Sequence, residues 1–439
     1  MCKLVFDKMC SCGKIHKSTS SEYVIKKGAV NEIGAYAGKF GAKKAFVYGD
    51  VNTFSIIGEK VCKLLSECEI SQKVYVFPQK RTEPDEGAVG SLIMHYETDC
   101  DIIIAIGSGV MNDLGKILSC TASKPYIIIA TAPSMDGYES ATSSMAIDGV
   151  KVSLATRCPD IIIGDIDILK TCPAHMIKSG LGDMIAKYTA VCEWRISALI
   201  NNEYYCESIA QHIRASLKKC ISNAGRLLDK DDKCIEAIFE GLIECGSAME
   251  YAGSSRPASG GEHYMSHIWD MRALEHGTPA ELHGIQCAVA SLYSAKIYDE
   301  LKKYVPDKQK AMEYVGMFNF EKWSNELKYF VGDGAIPMIA LESGEQKYNP
   351  DKHKKRIEII IEKWDKIVEI INQEVPSYDE LSRILDLIDA PKTLEDMGMD
   401  SSVLPMTIKA SKDIRDKYVL SRLLWDLGIL DETTFNILK

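Results

Sequence analysis

DIIIAIGSGVMNDLGKILSC, residues 101–120, followed by PYIIIATAPS at 125–134, decides the fold. Each stretch carries a run of isoleucines too short for a helix and without polar alternation. Such a run is a strand buried on both faces, the mark of a parallel sheet covered by helices. Between the runs, Gly-Ser-Gly turns the chain into a helical pattern. The same alternation extends outward. EYVIKK (22–27) reads as a strand, 30–41 as a helix ending at glycine, KKAFVYGD (43–50) as a strand and 53–67 as a helix. SQKVYVFP (71–78) is a further strand, followed by a helix from about Glu86 to Glu97. Residues 143–165 read as a hairpin turned at Asp148-Gly149 and one more strand. Past residue 167 strand signals stop, and helical patterns follow at 173–200, 203–229, 231–252, 261–276 and 283–304. Residues 305–375 are charge-rich and predict helices with long connections. The expectation is an α/β N-terminal, Rossmann-like nucleotide-binding domain over 1–170, with an irregular lead-in over 1–20, and an all-α domain over 171–439.

The 439 residues are 46% hydrophobic and 26% charged, the profile of a globular protein with large cores. A formal net charge of -10 argues against nucleic acid as the main partner, since phosphate neutralisation needs a basic surface. No apolar run approaches the roughly 20 residues that span a bilayer, and the N-terminus has no signal-peptide core, so a cytoplasmic protein without membrane insertion is expected. The 15 cysteines should be reduced, mostly small buried side chains. Cys2, Cys10, Cys12 and His16 could together bind zinc. Their spacing fits no standard finger, and the segment is expected to be a mobile tail.

Parallel sheets bind ligands beyond the carboxyl ends of their strands. GSGVMND (Gly107, Ser108, Gly109, Val110, Met111, Asn112, Asp113) lies at such an end and opens a helix. Glycine admits a close approach, and the helix N-terminus favours a pyrophosphate. The usual GxGxxG after the first strand is absent, which disfavours an ordinary Rossmann domain. Asp50 ends another strand. It is either a ribose-hydroxyl acceptor, which favours NAD over NADP, or a solvated turn residue. TAPSMDGYES (131–140) is a strand-end loop whose hydroxyls and amides suit a nicotinamide ribose or amide. Its Asp136 either orients substrate hydroxyls or is an Asp-Gly turn residue.

SRPASGGEHYMSHIWD (255–270) is the most informative stretch for chemistry. His263 and His267 stand i, i+4 on one helical face and can reach one ion. His283 opens the next helix, and Asp183 sits in SGLGDMIAK with Lys187 one turn on. Three or four such ligands from separate helices describe a catalytic metal site, and spacing alone leaves His267 as eligible as His263.

Taken in order, GSGxxxD, TAPSxDGxxS, GxGDMxxK, SRPASGxEHxxSH and LHG resemble the sn-glycerol-1-phosphate dehydrogenase family. That family belongs to the wider group of glycerol dehydrogenase, iron-containing alcohol dehydrogenases and 3-dehydroquinate synthase. The likeness covers roughly residues 22–300 and, more loosely, KDIRDKYVLSRLLWDLGIL near the C-terminus. Length and the SRPASGGEHYMSH form look like the bacterial branch. The resemblance implies a dehydroquinate synthase-like fold with the active site between the domains. It implies Asp183, His263 and His283 as ligands of one divalent metal, zinc, with nickel the alternative. It leaves His267 off the metal and near the substrate, for orientation or proton relay, and makes Asp136 a substrate contact. Residues 109–113, Thr131, Ala132, Pro133, Ser134 and Ser140 correspond to nucleotide contacts. Many relatives have three consecutive glycines where this chain has GSGVMND, so Asn112 leaves the choice between NAD(H) and NADP(H) open.

The implied reaction is reversible reduction of dihydroxyacetone phosphate to sn-glycerol-1-phosphate. Lys187, Lys151, Arg157 and Arg256 are the candidate cations for the substrate phosphate. The alternatives are a glycerol or other polyol dehydrogenase with the same metal site, or a 3-dehydroquinate synthase-like lyase. The wider group implies a homodimer or larger homo-oligomer.

Overall fold

The computed structural model of the chain describes residues 8–17, 21–79, 82–147 and 150–438. Six strands form one parallel sheet: β1 (Glu22–Lys26), β2 (Lys44–Asp50), β3 (Ser71–Phe77), β4 (Ile102–Gly107), β5 (Tyr126–Ala130) and β8 (Ile161–Asp165). Their order is β1-β8-β5-β4-β2-β3. β4, β5 and β8 are buried along their whole length, as their isoleucine runs require. Each fully buried isoleucine contributes about 2 kcal/mol of burial free energy. β6 (Thr142–Ile147) and β7 (Val150–Ala155) form a separate antiparallel hairpin, and the Asp148-Gly149 signal lies outside the described residues.

From β2 the chain steps to β3 on one side, then returns to β4 on the other. The helices after β2 (Val51–Glu67) and β4 (Gly109–Ala122) therefore leave from adjacent strand ends in opposite directions. That switch point opens a crevice between Asp50 and Gly107, where sheets of this kind take their ligands.

After Asp165 the chain is helical. The pattern predicted over 173–200 is two helices, Ala174–Ile185 and Lys187–Asn201, meeting at Ala186. The pattern over 203–229 condenses to Glu207–Asn223 and a short 3-10 turn. The long connections expected over 305–375 are instead short. Asp307, Asn319 and Asn349 each cap a new helix with a side-chain oxygen, so the charged segment is punctuated into compact turns of structure. No helix among the described residues is long and apolar enough to cross a membrane.

Glycines allow close backbone contacts at the junction of the two halves and just behind it. A Cβ on Gly180 would lie 1.8 Å from the Pro133 carbonyl oxygen, and one on Gly284 would lie 1.9 Å from that of Ser179. The Ala174–Ile185 helix is thus pressed backbone to backbone against the loop after β5 and against the His283–Leu301 helix. Gly180→Ala is expected to cost about 1–3 kcal/mol through forced backbone displacement. A thermal midpoint unchanged from the wild-type chain would show that the contact yields freely.

Candidate active site

At the switch point, Asp50 caps its helix. One carboxylate oxygen, Oδ1, accepts from the amides of Asn52 (2.9 Å) and Thr53 (2.8 Å). Ser108, Gly109 and Val110 are partly exposed at the start of the Gly109–Ala122 helix, where backbone N–H groups lack intrahelical partners. Met111 and Asn112 face inward. The Asn112 amide donates to the carbonyls of Gly137 (3.1 Å) and Tyr138 (3.4 Å) and accepts from the Tyr126 hydroxyl (3.1 Å). Those bonds commit its side chain to the protein, so it cannot discriminate between cofactors directly. Asp113 pairs with the fully buried Lys116 at 2.8 Å. Lys116 in turn bonds the carbonyls of Gly137 (3.2 Å), Ser140 (3.3 Å) and Thr142 (2.5 Å), knitting the 137–142 loop to the helix.

The loop after β5 joins this crevice to the histidines. Thr131, Ala132, Pro133, Ser134 and Ser140 are buried along it, with Thr131 N–H bonded to the Gly107 carbonyl at 3.0 Å. Ser179 Oγ donates to the Ser134 carbonyl at 2.9 Å. A Cβ on Gly109 would lie 2.8 Å from the Met135 methyl. The next residue, Asp136, donates its backbone N–H to Asp183 Oδ2 at 2.9 Å.

Asp183, fully buried, stands 3.6 Å from His263 Nε2. Lys187 Nζ lies between two carboxylates, 2.7 Å from Asp183 Oδ1 and 2.6 Å from Asp136 Oδ2. Glu262 holds His263 Nδ1 at 2.8 Å, and is itself held by Thr189 Oγ1 (2.6 Å) and the Gly260 N–H (2.7 Å). His283 Nδ1 lies 2.9 Å from Ser266 Oγ, which donates to Gln286 Oε1 at 2.7 Å. Both rings thus have an outer partner on Nδ1 and leave Nε2 to the cleft, the arrangement of a metal-bound histidine. Burial opposes a charge on His263, but Cys287, Asp183 and Glu262 outweigh it and hold the ring well above its usual range while no cation is there. The two ring centroids are 5.0 Å apart. Cys287 Sγ lies 3.6 Å from His283 Nε2. His267 stacks on His283 with centroids 5.9 Å apart, and its buried Nδ1 has no hydrogen-bond partner among the described residues.

The charges fit a cation. Asp136 and Asp183 share one lysine, a formal excess of one negative charge in a buried site, and Glu262 adds a further carboxylate behind His263. Burial pushes the Asp136 carboxyl up, and the neighbouring Asp183 adds to it. Burial opposes ionisation of Asp183 too, but Lys187 and His263 outweigh it and hold that carboxyl well below the usual range. Burial, with His263 beside it, lowers His283 to about 4. Burial also drives His267 well below 6.5, reinforced by the charges of Lys151, His283 and Arg415. His267 is thus a neutral ring that can orient a hydroxyl.

The four cations expected to meet the substrate phosphate already have partners. Lys187 is enclosed by Asp136 and Asp183, Lys151 pairs with Asp270, Arg157 with Asp160, and the buried Arg256 with Glu203 and the Tyr418 carbonyl. Sequence reasoning passed over Arg415, exposed and bonded to Ser153 Oγ at 3.1 Å, and Lys417, which donates to the Ser259 carbonyl at 2.7 Å. Both sit in the C-terminal stretch whose likeness was loose. Glu262 and Cys287 were missed as well, although E-H and H-x3-C on a helix are readable signals.

The family model for iron-containing alcohol dehydrogenase matches residues 24–173. A glycerol-1-phosphate dehydrogenase, NAD(P)+, of Halalkalibacterium halodurans is 26% identical over 416 residues, 94% of each chain. A protein of the same name from Bacillus licheniformis is 32% identical, over 66% of this chain and 74% of that one. Among solved structures, glycerol dehydrogenase from Schizosaccharomyces pombe has a TM-score of 0.59 at 16% identity, covering 99% of this chain and 93% of that one, a likeness of fold alone. With the sequence identity carried across both halves of the fold, the chain belongs to the glycerol-1-phosphate dehydrogenase family.

Proposed function

We propose that this chain catalyses the reversible, NAD(P)-linked reduction of dihydroxyacetone phosphate to sn-glycerol-1-phosphate, with one divalent ion held by Asp183, His263 and His283. The observation that carries the reading is the pair of imidazoles, each held on Nδ1 by an outer partner, with Nε2 of His263 beside the buried Asp183 carboxylate. Curated relatives named for this reaction support the substrate class. Zinc is the ion we favour for an aspartate and two histidines, with nickel the alternative.

When bound, the ion supplies Lewis acidity toward the substrate C2 oxygen, and the nicotinamide supplies or accepts hydride. Lys187 locks the Asp183 and Asp136 carboxylates in place. The second Asp136 oxygen is left to orient a substrate hydroxyl. His267, through its unpartnered Nδ1, orients another. Arg415, whose charge reaches His267 and which has no carboxylate partner among the described residues, supplies the charge that meets the phosphate. Ser108, Gly109 and Val110 hold the cofactor pyrophosphate, and the Asp50 carboxylate favours NAD(H) over NADP(H) by repelling a 2′-phosphate. We place the protein in the cytoplasm as a homodimer or larger homo-oligomer, in keeping with its reduced thiols and its family.

The test is NADH consumption with dihydroxyacetone phosphate, on metal-stripped protein supplied in turn with zinc, nickel and iron. Turnover is expected with at least one ion, and in reverse glycerol-1-phosphate should be oxidised far better than glycerol. Equal use of glycerol would reassign the chain as a polyol dehydrogenase. Inactivity with every ion would overturn the reading.

A further inference from the structure

Away from the cleft, a second set of metal-binding side chains comes together. Cys10, Cys12, His16 and Cys206 each place a donor atom within 4.8 Å of the others. Cys10 Sγ lies 3.7 Å from Cys206 Sγ, and His16 Nε2 lies 3.4 Å from both Cys12 Sγ and Cys206 Sγ. Zinc bonds of about 2.3 Å to sulfur and about 2.0 Å to nitrogen, in a tetrahedron, set donors roughly 3.5–3.8 Å apart. The spacing found is close to that. It is far beyond the about 2.05 Å of a disulfide.

The backbone is shaped to bring these donors round one point. Cys10 N–H bonds the Lys14 carbonyl at 2.9 Å, and Gly13 N–H bonds that of Cys10 at 2.9 Å. Gly13, at φ +82°, takes the left-handed conformation such a tight turn needs. Met9 and Ile15 bridge antiparallel across it, which returns His16 toward the two thiols. His16 is 1% exposed, and its Nδ1 lies 3.1 Å from the Tyr251 carbonyl. The ring proton is thereby fixed on Nδ1 and the Nε2 lone pair faces the sulfurs, as in a ligating histidine. Cys206 stands at the N-cap position of the Glu207–Asn223 helix and makes no side-chain capping bond there, so its sulfur is left to the cluster. The Tyr204 hydroxyl lies 3.3 Å from Cys12 Sγ, within reach to support a thiolate.

The segment is docked through the His16–Tyr251 contact, Lys14 over the Tyr204 ring and the partly buried Cys10 and Cys12, all gathered round the four donors. Met9 and Ile15 are 68% and 54% exposed, so little apolar burial holds residues 8–17 down. Residues 8–17, expected as part of a mobile tail, are instead docked, and Cys206 joins Cys10, Cys12 and His16 as the fourth donor of the cluster, while Cys2 lies outside the described residues.

We propose that Cys10, Cys12, His16 and Cys206 bind one zinc ion in a closed, structural site that staples the N-terminal lead-in to the helices Glu207–Asn223 and Asp232–Ala252. The assignment stands apart from the catalytic reading. The test uses His263→Ala protein, to remove the cleft ion. One zinc per chain is expected to remain, and cobalt in its place should show thiolate-to-cobalt charge-transfer absorption. Adding Cys12→Ser and Cys206→Ser should abolish both; survival of the absorption overturns the site. If that triple variant does not fold, zinc-edge X-ray absorption on the His263→Ala protein decides alone. A sulfur-dominated shell at about 2.3 Å is expected. A shell of nitrogen and oxygen only, no zinc after incubation with it, or a disulfide among these cysteines overturns the proposal.

Discussion

Alanine at His263 is expected to lower kcat/KM by about 10³-fold or more and to remove one equivalent of divalent ion per chain. Lewis-acid stabilisation of a developing alkoxide is worth several kcal/mol, and about 1.4 kcal/mol is tenfold in rate. Asp183 and His283 alone offer too few donors to hold an ion against water. Glu262 gives the graded version. It keeps His263 in the right tautomer from a fully buried position, so Glu262→Gln should weaken metal affinity by roughly 10–100-fold while leaving the ligands themselves untouched. His267→Ala supplies the contrast. Its ring stacks on His283 and bonds nothing through Nδ1 among the described residues, so this variant should keep its full metal content and lose turnover by about 10² through misorientation. Metal analysis alongside kcat/KM checks all three. Loss of the ion from His267→Ala would make that residue a ligand, and a His263→Ala protein that keeps both ion and rate would end the assignment.

The sheet was readable because isoleucine runs such as 102–104 and 127–129 have no polar face, and only a strand covered on both sides tolerates that. The helices after Asp165 were readable as helices but not as to where they stop. The break at Ala186 carries no glycine or proline to announce it. In the site, local spacing reported what lies within one turn: Asp183 to Lys187, and His263 to His267. It could not report what tertiary packing adds. Lys187 looked like a cation free for phosphate because Asp136, which claims it, lies 51 residues away. Cys206 is 190 residues from His16, so local spacing put the nearby Cys2 beside Cys10, Cys12 and His16 and gave no sign of the distant thiol. Histidine tautomers likewise depend on Ser266 and Gln286, ordinary polar residues until the helices meet.

Lys187→Met should be the most destabilising single change in the cleft. The side chains are similar in volume, so the effect isolates charge. In the wild-type chain one ammonium, fully buried, bonds two carboxylates at 2.6 and 2.7 Å. Removing one member of a buried ion pair costs about 3–5 kcal/mol, because the partner left behind keeps its desolvation without compensation. Here two partners are left, and each repels the other. At an unfolding entropy of about 2 cal/mol/K per residue, a loss of that size lowers the midpoint by roughly 3–5 °C if the chain melts as one unit. The same reasoning fixes how the loss responds to metal. A divalent cation neutralises the carboxylates that Lys187 no longer does, so zinc should raise the midpoint of the variant more than that of the wild-type chain. Calorimetry on stripped and zinc-loaded forms of both proteins measures the two differences. A stripped variant that melts with the wild type would mean the two aspartates are hydrated or protonated there, and that Lys187 does not hold the site together.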